Sequence, residues 1–225
     1  MSWRGCGAFV AWHDVEAGRE SEYLHWHSHE HMQERVAVPG FLQGRRYSVM
    51  GSGPGFLVVY EVLDTRVFAS PAYLERLNNP SVWTREVMPS LRNMNRSLCR
   101  VEASSGSGIG RFMQTIRFSP QAGRGASLRD AMAAEVRSLA VERGLCAAHL
   151  LVAERDSSRT PTREASLRVT PDAVADWILL VEGYNEAMVA RDRSDILQQN
   201  GAESEMIADL YAIEHIVLPD QGLAS

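Results

Sequence analysis

The chain has 225 residues, 45% hydrophobic and 23% charged, which is enough for one large domain or two small ones with an ordinary core. A formal net charge of −5 with no basic stripe argues against nucleic acid as the main partner. Three widely spaced cysteines, no signal peptide and no 18-residue apolar run predict a soluble, cytoplasmic protein that does not enter a membrane.

The first hundred residues predict the element order βαββαβ. A predicted helix ends at Pro39-Gly40, and a second helical region is broken at Pro80, because proline cannot continue a helix. The predicted elements occupy residues 7–15, about 17–38, 41–50, 55–64, about 70–91 and 93–103.

The same order recurs after "ASSGSGIG", residues 103–110, which is typical of a linker or loose loop. Its predicted elements occupy residues 110–120, 127–144, 145–154, 176–185, about 187–199 and 206–218. The stretches "GFLQGRRY" and "GLCAAHLL" occupy equivalent positions in the two halves. The repeat predicts an α+β fold in which tandem ferredoxin-like βαββαβ units, at 1–104 and 108–220, form one α+β barrel. The alternative is two unrelated α+β lobes.

Residues 26–47, "WHSHEHMQERVAVPGFLQGRRY", carry a pattern of short motifs in a fixed order. The motifs are Trp26, Glu30-His31, Glu34-Arg35, Pro39-Gly40-Phe41 and Arg45-Arg46-Tyr47. This segment resembles the helix-to-strand segment of EthD-like proteins in the dimeric α+β-barrel superfamily, although Gln33 stands where a proline is common and His27 and His29 are additional.

The resemblance implies a ferredoxin-like fold, a homodimer and a small-molecule substrate. Relatives in the superfamily include isomerases, cyclases, dehydratases, monooxygenases and haem enzymes, so the fold does not select a reaction. The resemblance covers the first half well and the second only in architecture, so we expect the second half to be mainly structural.

The stretch "HWHSHEHMQER" places four of the seven histidines within seven residues. In a regular α-helix His27, Glu30, His31 and Glu34 share a face with Tyr23, whereas His25, His29, Met32 and Val36 point outward. Polar groups that face a sheet need partners, which a cavity holding a substrate would supply. We therefore predict His31 and His27 as catalytic residues, with Glu30 or Glu34 completing an acid–base pair.

A divalent metal is the alternative interpretation of the same cluster. His27 and His31 have the i, i+4 spacing that presents two imidazoles to one ion, and Glu34 could be a third ligand. The spacing alone is unspecific, and Ser28 stands where metalloproteases have glutamate. We expect no cofactor, with a metal as the alternative; haem is suggested only by the superfamily. A structural or solvated helix face also stays open.

Strand residues supply the predicted substrate-binding set. Arg45 and Tyr47 share a face of their strand, where Arg45 could bind a carboxylate or enolate oxygen, or form an ion pair with Glu34 or Glu61. The other candidates are Tyr23, His13 and His215, although a histidine at either strand position is more often a hydrogen-bonded core residue than a catalyst. No nucleotide-binding, phosphate-binding or serine-hydrolase motif occurs in the sequence.

These patterns favour a small-molecule lyase or isomerase of the dehydratase or cyclase type, acting on an aromatic or polyketide-like intermediate by His/Glu acid–base chemistry. A metal-dependent enzyme and a non-catalytic ligand-binding or accessory protein are the alternatives. We expect a homodimer, with Met32 and Val36 offering apolar contact surface.

Overall fold

The computed structural model describes residues 3–220 and contains one closed barrel of eight antiparallel strands. The strands are β1 (Gly7–Val15), β2 (Phe41–Val49), β3 (Phe56–Val62), β4 (Leu91–Gly106), β5 (Phe112–Phe118), β6 (Leu145–Ala153), β7 (Trp177–Gly183) and β8 (Ile207–Val217). They lie in the order β1-β3-β2-β8-β5-β7-β6-β4, which closes on itself. Each predicted strand is present.

The strand order contains the ferredoxin-like arrangement twice. The first unit is β4-β1-β3-β2 and the second is β6-β7-β5-β8; strand pairing of β2 with β8 and of β4 with β6 joins them. The predicted α+β class and tandem ferredoxin-like barrel are therefore confirmed. Closure in one chain leaves neither four-stranded sheet with an unpaired edge.

Helices cover the outer face of the barrel. The first helix runs from Glu20 to Val36 as α1 (Glu20–Trp26), a π-helical segment (His27–His31) and α2 (Met32–Val36). The other α-helices are α3 (Pro71–Asn78), α4 (Val82–Val87), α5 (Gly125–Leu139), α6 (Arg155–Ser158), α7 (Arg163–Ser166), α8 (Glu186–Val189) and α9 (Ser194–Gln199), with short 3₁₀ turns at Thr65–Ala69 and Met88–Ser90. Within residues 3–220 no helix is long and apolar enough to cross a membrane.

Strand alternation separates an interior core from the helix-facing surface. On β1, Val10 and Trp12 belong to the core inside the barrel, while Phe9 and Ala11 belong to clusters beneath the first helix and α3. Side chains of a strand point alternately to its two faces, so each strand contributes to both layers.

The prediction of a linker or loose loop at residues 103–110 is wrong for residues 103–106. Residues 103–106 continue β4, and Ala103 pairs with Leu150 while Gly106 pairs with Ala147 of β6. Gly106 has a φ of 110°, and a Cβ there would collide with the backbone of Cys146, which explains a glycine in a paired strand. Only the next few residues connect the halves, and the proposed division at 104 and 108 stays a prediction.

The predicted outward orientation of Met32 and Val36 is also wrong, because both side chains, which belong to α2, are buried in a hydrophobic cluster. The π-helical segment at His27–His31 accommodates one additional residue per turn, so the helix beyond it is rotated relative to a continuous α-helix. The helix predicted at about 187–199 is two short helices, α8 and α9.

Candidate functional site

A small cavity of about 40 Å³ lies between the first helix and the outer face of β1, β3 and β4. Its walls include four aromatic rings, those of Phe9, Tyr23, Trp26 and Tyr60, and three histidines, His13, His27 and His31. Sites for drug-sized ligands usually measure about 300–1,000 Å³, so the cavity must widen before it can hold such a substrate.

The three histidines come from two elements that the fold brings together. His13 lies on β1, and its ring is 5.2 Å from that of Tyr23 and 5.8 Å from that of Phe56. His27 and His31 belong to the π-helical segment, and their ring centroids are 5.5 Å apart. The predicted grouping of His13, Tyr23, His27 and His31 on one cavity is therefore present.

Several polar atoms at this cavity are buried without a partner. Among the described residues, no hydrogen bond reaches either ring nitrogen of His13, Nδ1 of His31 or the hydroxyl of Tyr23. His27 differs, because its Nδ1 lies 3.3 Å from Nη1 of Arg46. Buried polar groups are nearly always hydrogen-bonded, so these atoms mark a place where a bound molecule would find donors and acceptors.

Burial keeps the three imidazoles neutral near pH 7. It lowers the pKa of His13 to about 3, and it holds the pKa values of His27 and His31 well below their usual range. Positive charge adds to the effect of burial, from Arg35 beside His31 and from Arg46 beside His27. Neutral imidazoles can accept a proton, which is the state a general base requires.

The two predicted acid–base glutamates do not line the cavity. The Glu30 carboxylate accepts hydrogen bonds from Trp26 Nε1 at 3.2 Å, from Ser81 at 2.5 Å and from Thr84 at 3.3 Å. Glu34 is partly exposed and faces Arg76 of α3 at 3.8 Å. The rotation introduced by the π-helical segment separates both carboxylates from the histidines. The structure therefore does not contain the predicted pair of His31 with Glu30 or Glu34.

The predicted metal ligands are not assembled either. In the part of the chain from residue 3 to 220, no three His, Cys, Asp or Glu side chains are placed to share one ion. His27 and His31 face the cavity, whereas Glu34 points toward α3. Since a metal site needs three or four ligands around one point, this arrangement does not fit the metal alternative.

Arg45 and Tyr47 lie inside the barrel, on the opposite face of β2 from the histidines. They share a face as predicted, with Arg45 Nη1 3.1 Å from the Tyr47 hydroxyl, and of the two alternatives for Arg45 the structure shows an ion pair, but with neither Glu34 nor Glu61. Arg45 instead donates to Glu182 at 3.0 Å, and His149 approaches the same carboxylate at 3.3 Å. Neither Arg45 nor Tyr47 lines the cavity, because Arg46 is the strand neighbour that faces the helix.

The remaining histidines lie away from the cavity. His215 is partly buried on β8 beside Arg46, and it does not belong to the cavity wall. Burial and the charge of Arg46 lower its pKa. His25 and His29 are exposed on the outer side of the first helix, where His29 Nδ1 lies 2.9 Å from the carbonyl of His25.

Three charged residues of the cavity wall escaped the sequence analysis: Arg96 on β4, and Glu164 and Arg168 from the second half. Glu164 lies on α7 and forms a buried ion pair with Arg35 of the first helix. One feature of the sequence could have indicated these residues: the connection between β6 and β7, residues 154–176, is much longer than the equivalent connection between β2 and β3, residues 50–55. The second half thus contributes to the cavity as well as to the barrel.

Comparison with solved structures supports the fold at low sequence identity. An anthrone oxidase-like protein superimposes with a TM-score of 0.65 and 12% identity, covering 100% of this chain and 98% of the other. A protein provisionally named a monooxygenase from Fusobacterium nucleatum subsp. nucleatum gives 0.61 and 12%, covering 96% and 95%. One of similar name from Lactobacillus acidophilus NCFM gives 0.59 and 10%, covering 95% and 96%.

No protein-family model matches the sequence, and no curated protein is similar to it in sequence. The structural matches extend over nearly the whole of both chains, so they include both four-stranded sheets and not one half alone. The chain therefore has the ferredoxin-like, dimeric α+β-barrel fold, with both halves of the barrel in one polypeptide, consistent with the EthD-like resemblance of residues 26–47.

Proposed function

We propose that the protein is an enzyme that removes a proton from carbon in a small aromatic or polyketide-like substrate, with a lyase or isomerase outcome. The observation that carries the proposal is the set of buried, unpartnered imidazole nitrogens of His13 and His31 on a cavity with aromatic walls. Aromatic rings offer an apolar surface for a flat substrate, and the imidazoles offer proton acceptors beside it.

His31 is the proposed general base, and His13 is the second group on the opposite wall. Proton transfer from a substrate carbon to His31 leaves an imidazolium and a carbanion or enolate. The buried imidazolium is unfavourable alone, but the anion formed in the same step compensates its charge. Return of the proton to another carbon gives an isomerase. Loss of hydroxide, which takes the proton from the His31 imidazolium and leaves as water, gives a dehydratase; in both cases His31 returns to its neutral form.

Glu30 has a supporting role in this proposal. Its carboxylate fixes the indole of Trp26, whose ring lies 4.4 Å from that of His31. It therefore positions one wall of the cavity and the base beside it without contacting the substrate.

Oxygenation is a second candidate function. It is favoured by the names of the structural neighbours, which are an anthrone oxidase-like protein and two proteins provisionally named monooxygenases. The first step is the same proton abstraction. The carbanion would then react with O₂, and conversion of a CH₂ group into C=O releases one water. Consumption of O₂ separates this outcome from the lyase or isomerase outcome, which uses none.

The test compares His31→Ala with His29→Ala on a panel of aromatic ketones that includes anthrone. Deuterium incorporation at the acidic carbon in D₂O, followed by NMR, reports proton abstraction, and an oxygen electrode reports oxygenation. We expect a loss of about 10²–10⁴-fold in His31→Ala, because a positioned general base contributes that much. The exposed His29 should matter little.

Equal losses in the two variants would return the cluster to a structural role. Binding of panel members with no exchange above the buffer rate would favour the non-catalytic ligand-binding alternative. Metal analysis of protein purified without a histidine tag addresses the metal alternative in the same preparation. The homodimer also stays a prediction, now without support from Met32 and Val36.

A further inference from the structure

We propose that Arg96, aided by Arg159, binds a carboxylate of the substrate at the mouth of the cavity and so selects aromatic carboxylic acids. This inference rests on the proposed function, since it names the substrate class of the same site. It follows from the position of Arg96 between two cavities and from the charges around it.

The histidine cavity adjoins a larger outer pocket. The outer pocket measures about 360 Å³ and lies under the connection between β6 and β7, with walls formed by Ser158, Arg159, Thr160, Pro161, Ala165 and Asp172. Arg96 lines both spaces. Arg96 is the lining residue that the two spaces share, so its side chain lies at the boundary between them.

The Arg96 side chain is held in place but retains free donor capacity. It is buried on β4, where it is the register partner of Ala11, and its guanidinium carbon lies 5.3 Å from the Phe9 ring centroid. Nη1 donates to the Ser158 carbonyl at 3.0 Å, and Nη2 approaches the Tyr73 hydroxyl at 3.5 Å. A guanidinium has five N–H donors, so others are available to a ligand.

The charges around the outer pocket leave a positive excess. Arg96 and Arg159 have no carboxylate within ion-pair distance among residues 3–220. The acid in the pocket wall, Asp172, is already bound by Arg168 through two contacts of 2.7 and 2.6 Å. A carboxylate offsets one of these two unpaired positive charges, and the planar arginine fork suits its geometry.

The same placement orients the substrate. A carboxylate on Arg96 remains at the mouth, and the aromatic body attached to it extends inward between Phe9 and the histidine wall. Displacement of the connection that carries Glu164 and Arg168 would widen the inner cavity to accept the ring. Arg96 is thus a specificity-determining residue, separate from the proposed base.

Isothermal titration with 2-naphthoate and the nearly isosteric, neutral 2-naphthamide tests the proposal without turnover. Wild-type protein should bind the naphthoate at least about 10-fold more tightly, because hydrogen bonds to charged groups are the strong ones. Arg96→Gln should remove this preference while leaving amide affinity unchanged, and Arg96→Lys should retain part of it. Arg137→Gln, at an exposed position on the remote helix α5, is the matched control and should keep the wild-type preference.

Equal or weaker binding of the naphthoate, binding of neither probe, or an equal loss for both probes in Arg96→Gln would overturn the proposal. If Arg96→Gln unfolds, Arg159→Gln decides, because this exposed variant should reduce the preference by about 2-fold or more. The result is independent of the proposed chemistry. His31→Ala should retain the naphthoate preference even if no proton exchange is ever detected.

Discussion

The buried histidines of the cavity lower the stability of the folded protein. His13 is 3% exposed, yet neither of its ring nitrogens has a hydrogen-bond partner within the described chain. An unsatisfied buried polar group costs about 1–3 kcal/mol, which the rest of the core must offset. The site thus departs from a stability optimum, as functional sites often do.

The stability of the protein should fall as the pH is lowered below about 6.5, the ordinary pKa of histidine. In the folded state burial lowers the pKa of His13 to about 3, so between these values the unfolded chain binds more protons than the folded one. Each such histidine contributes a slope of up to about 1.4 kcal/mol per pH unit, with the stability present above pH 6.5 and lost on acidification.

Urea unfolding at about pH 7.5, 6.5 and 5.5 measures this slope. His13→Phe removes the titrating group and keeps a ring in the site, so its free energy of unfolding should depend less on pH than that of the wild type. If the free energy of unfolding had the same pH dependence in the wild type and in His13→Phe, the pKa of His13 would not differ between the folded and unfolded states.

At the level of elements, the strands were predictable and the helix phase was not. Alternation such as that of Val10 and Trp12 against Phe9 and Ala11 is a local property of the sequence, and it places each side chain correctly. The π-helical segment at His27–His31 leaves no comparable signal. It keeps His27 and His31 on the cavity but turns Glu30 away, so the predicted positions of the two histidines agree with the structure and the predicted carboxylate partner does not.

A pair of alanine variants tests the rotated helix directly. Met32 is fully buried, whereas its neighbour Gln33 is exposed. Met32→Ala should lower the free energy of unfolding by about 2–5 kcal/mol, because it opens a space in the core, while Gln33→Ala should change it by less than about 0.5 kcal/mol. Thermal or urea denaturation measures both effects. A small effect in Met32→Ala would contradict the rotated helix and favour a continuous α-helix in which Met32 points outward.

For the whole molecule, the cavity depends on contacts that no local pattern reveals. Glu164 belongs to the second half, yet it pairs with Arg35 of the first helix, 129 positions earlier in the chain. Arg45 of the first half likewise pairs with Glu182 of the second, inside the barrel. The repeat predicted that two sheets would meet, but it could not show which side chains cross between them, since such contacts are set only by the closed barrel.

Because the barrel interior is shared, neither half should fold alone. Trp12 and Tyr47 from one half pack in the same core as Met113 and Leu180 from the other, and Trp12 Nε1 donates to Thr115 at 3.1 Å. Separation would expose this core, leave the edges of four strands unpaired and strip Arg45 of its carboxylate, a loss that costs about 3–5 kcal/mol for a buried pair.

Expression of the chain as two pieces divided at Gly108 tests this dependence. Each piece alone should aggregate or lack a cooperative unfolding transition, whereas co-expression should yield a one-to-one complex that retains near-native circular dichroism. Native mass spectrometry and thermal melts report both results, with the intact chain as the control. A first piece that stays a soluble monomer and unfolds cooperatively by itself would mean that the halves are independent domains, and that the pairing of β2 with β8 and of β4 with β6 is not what stabilises them.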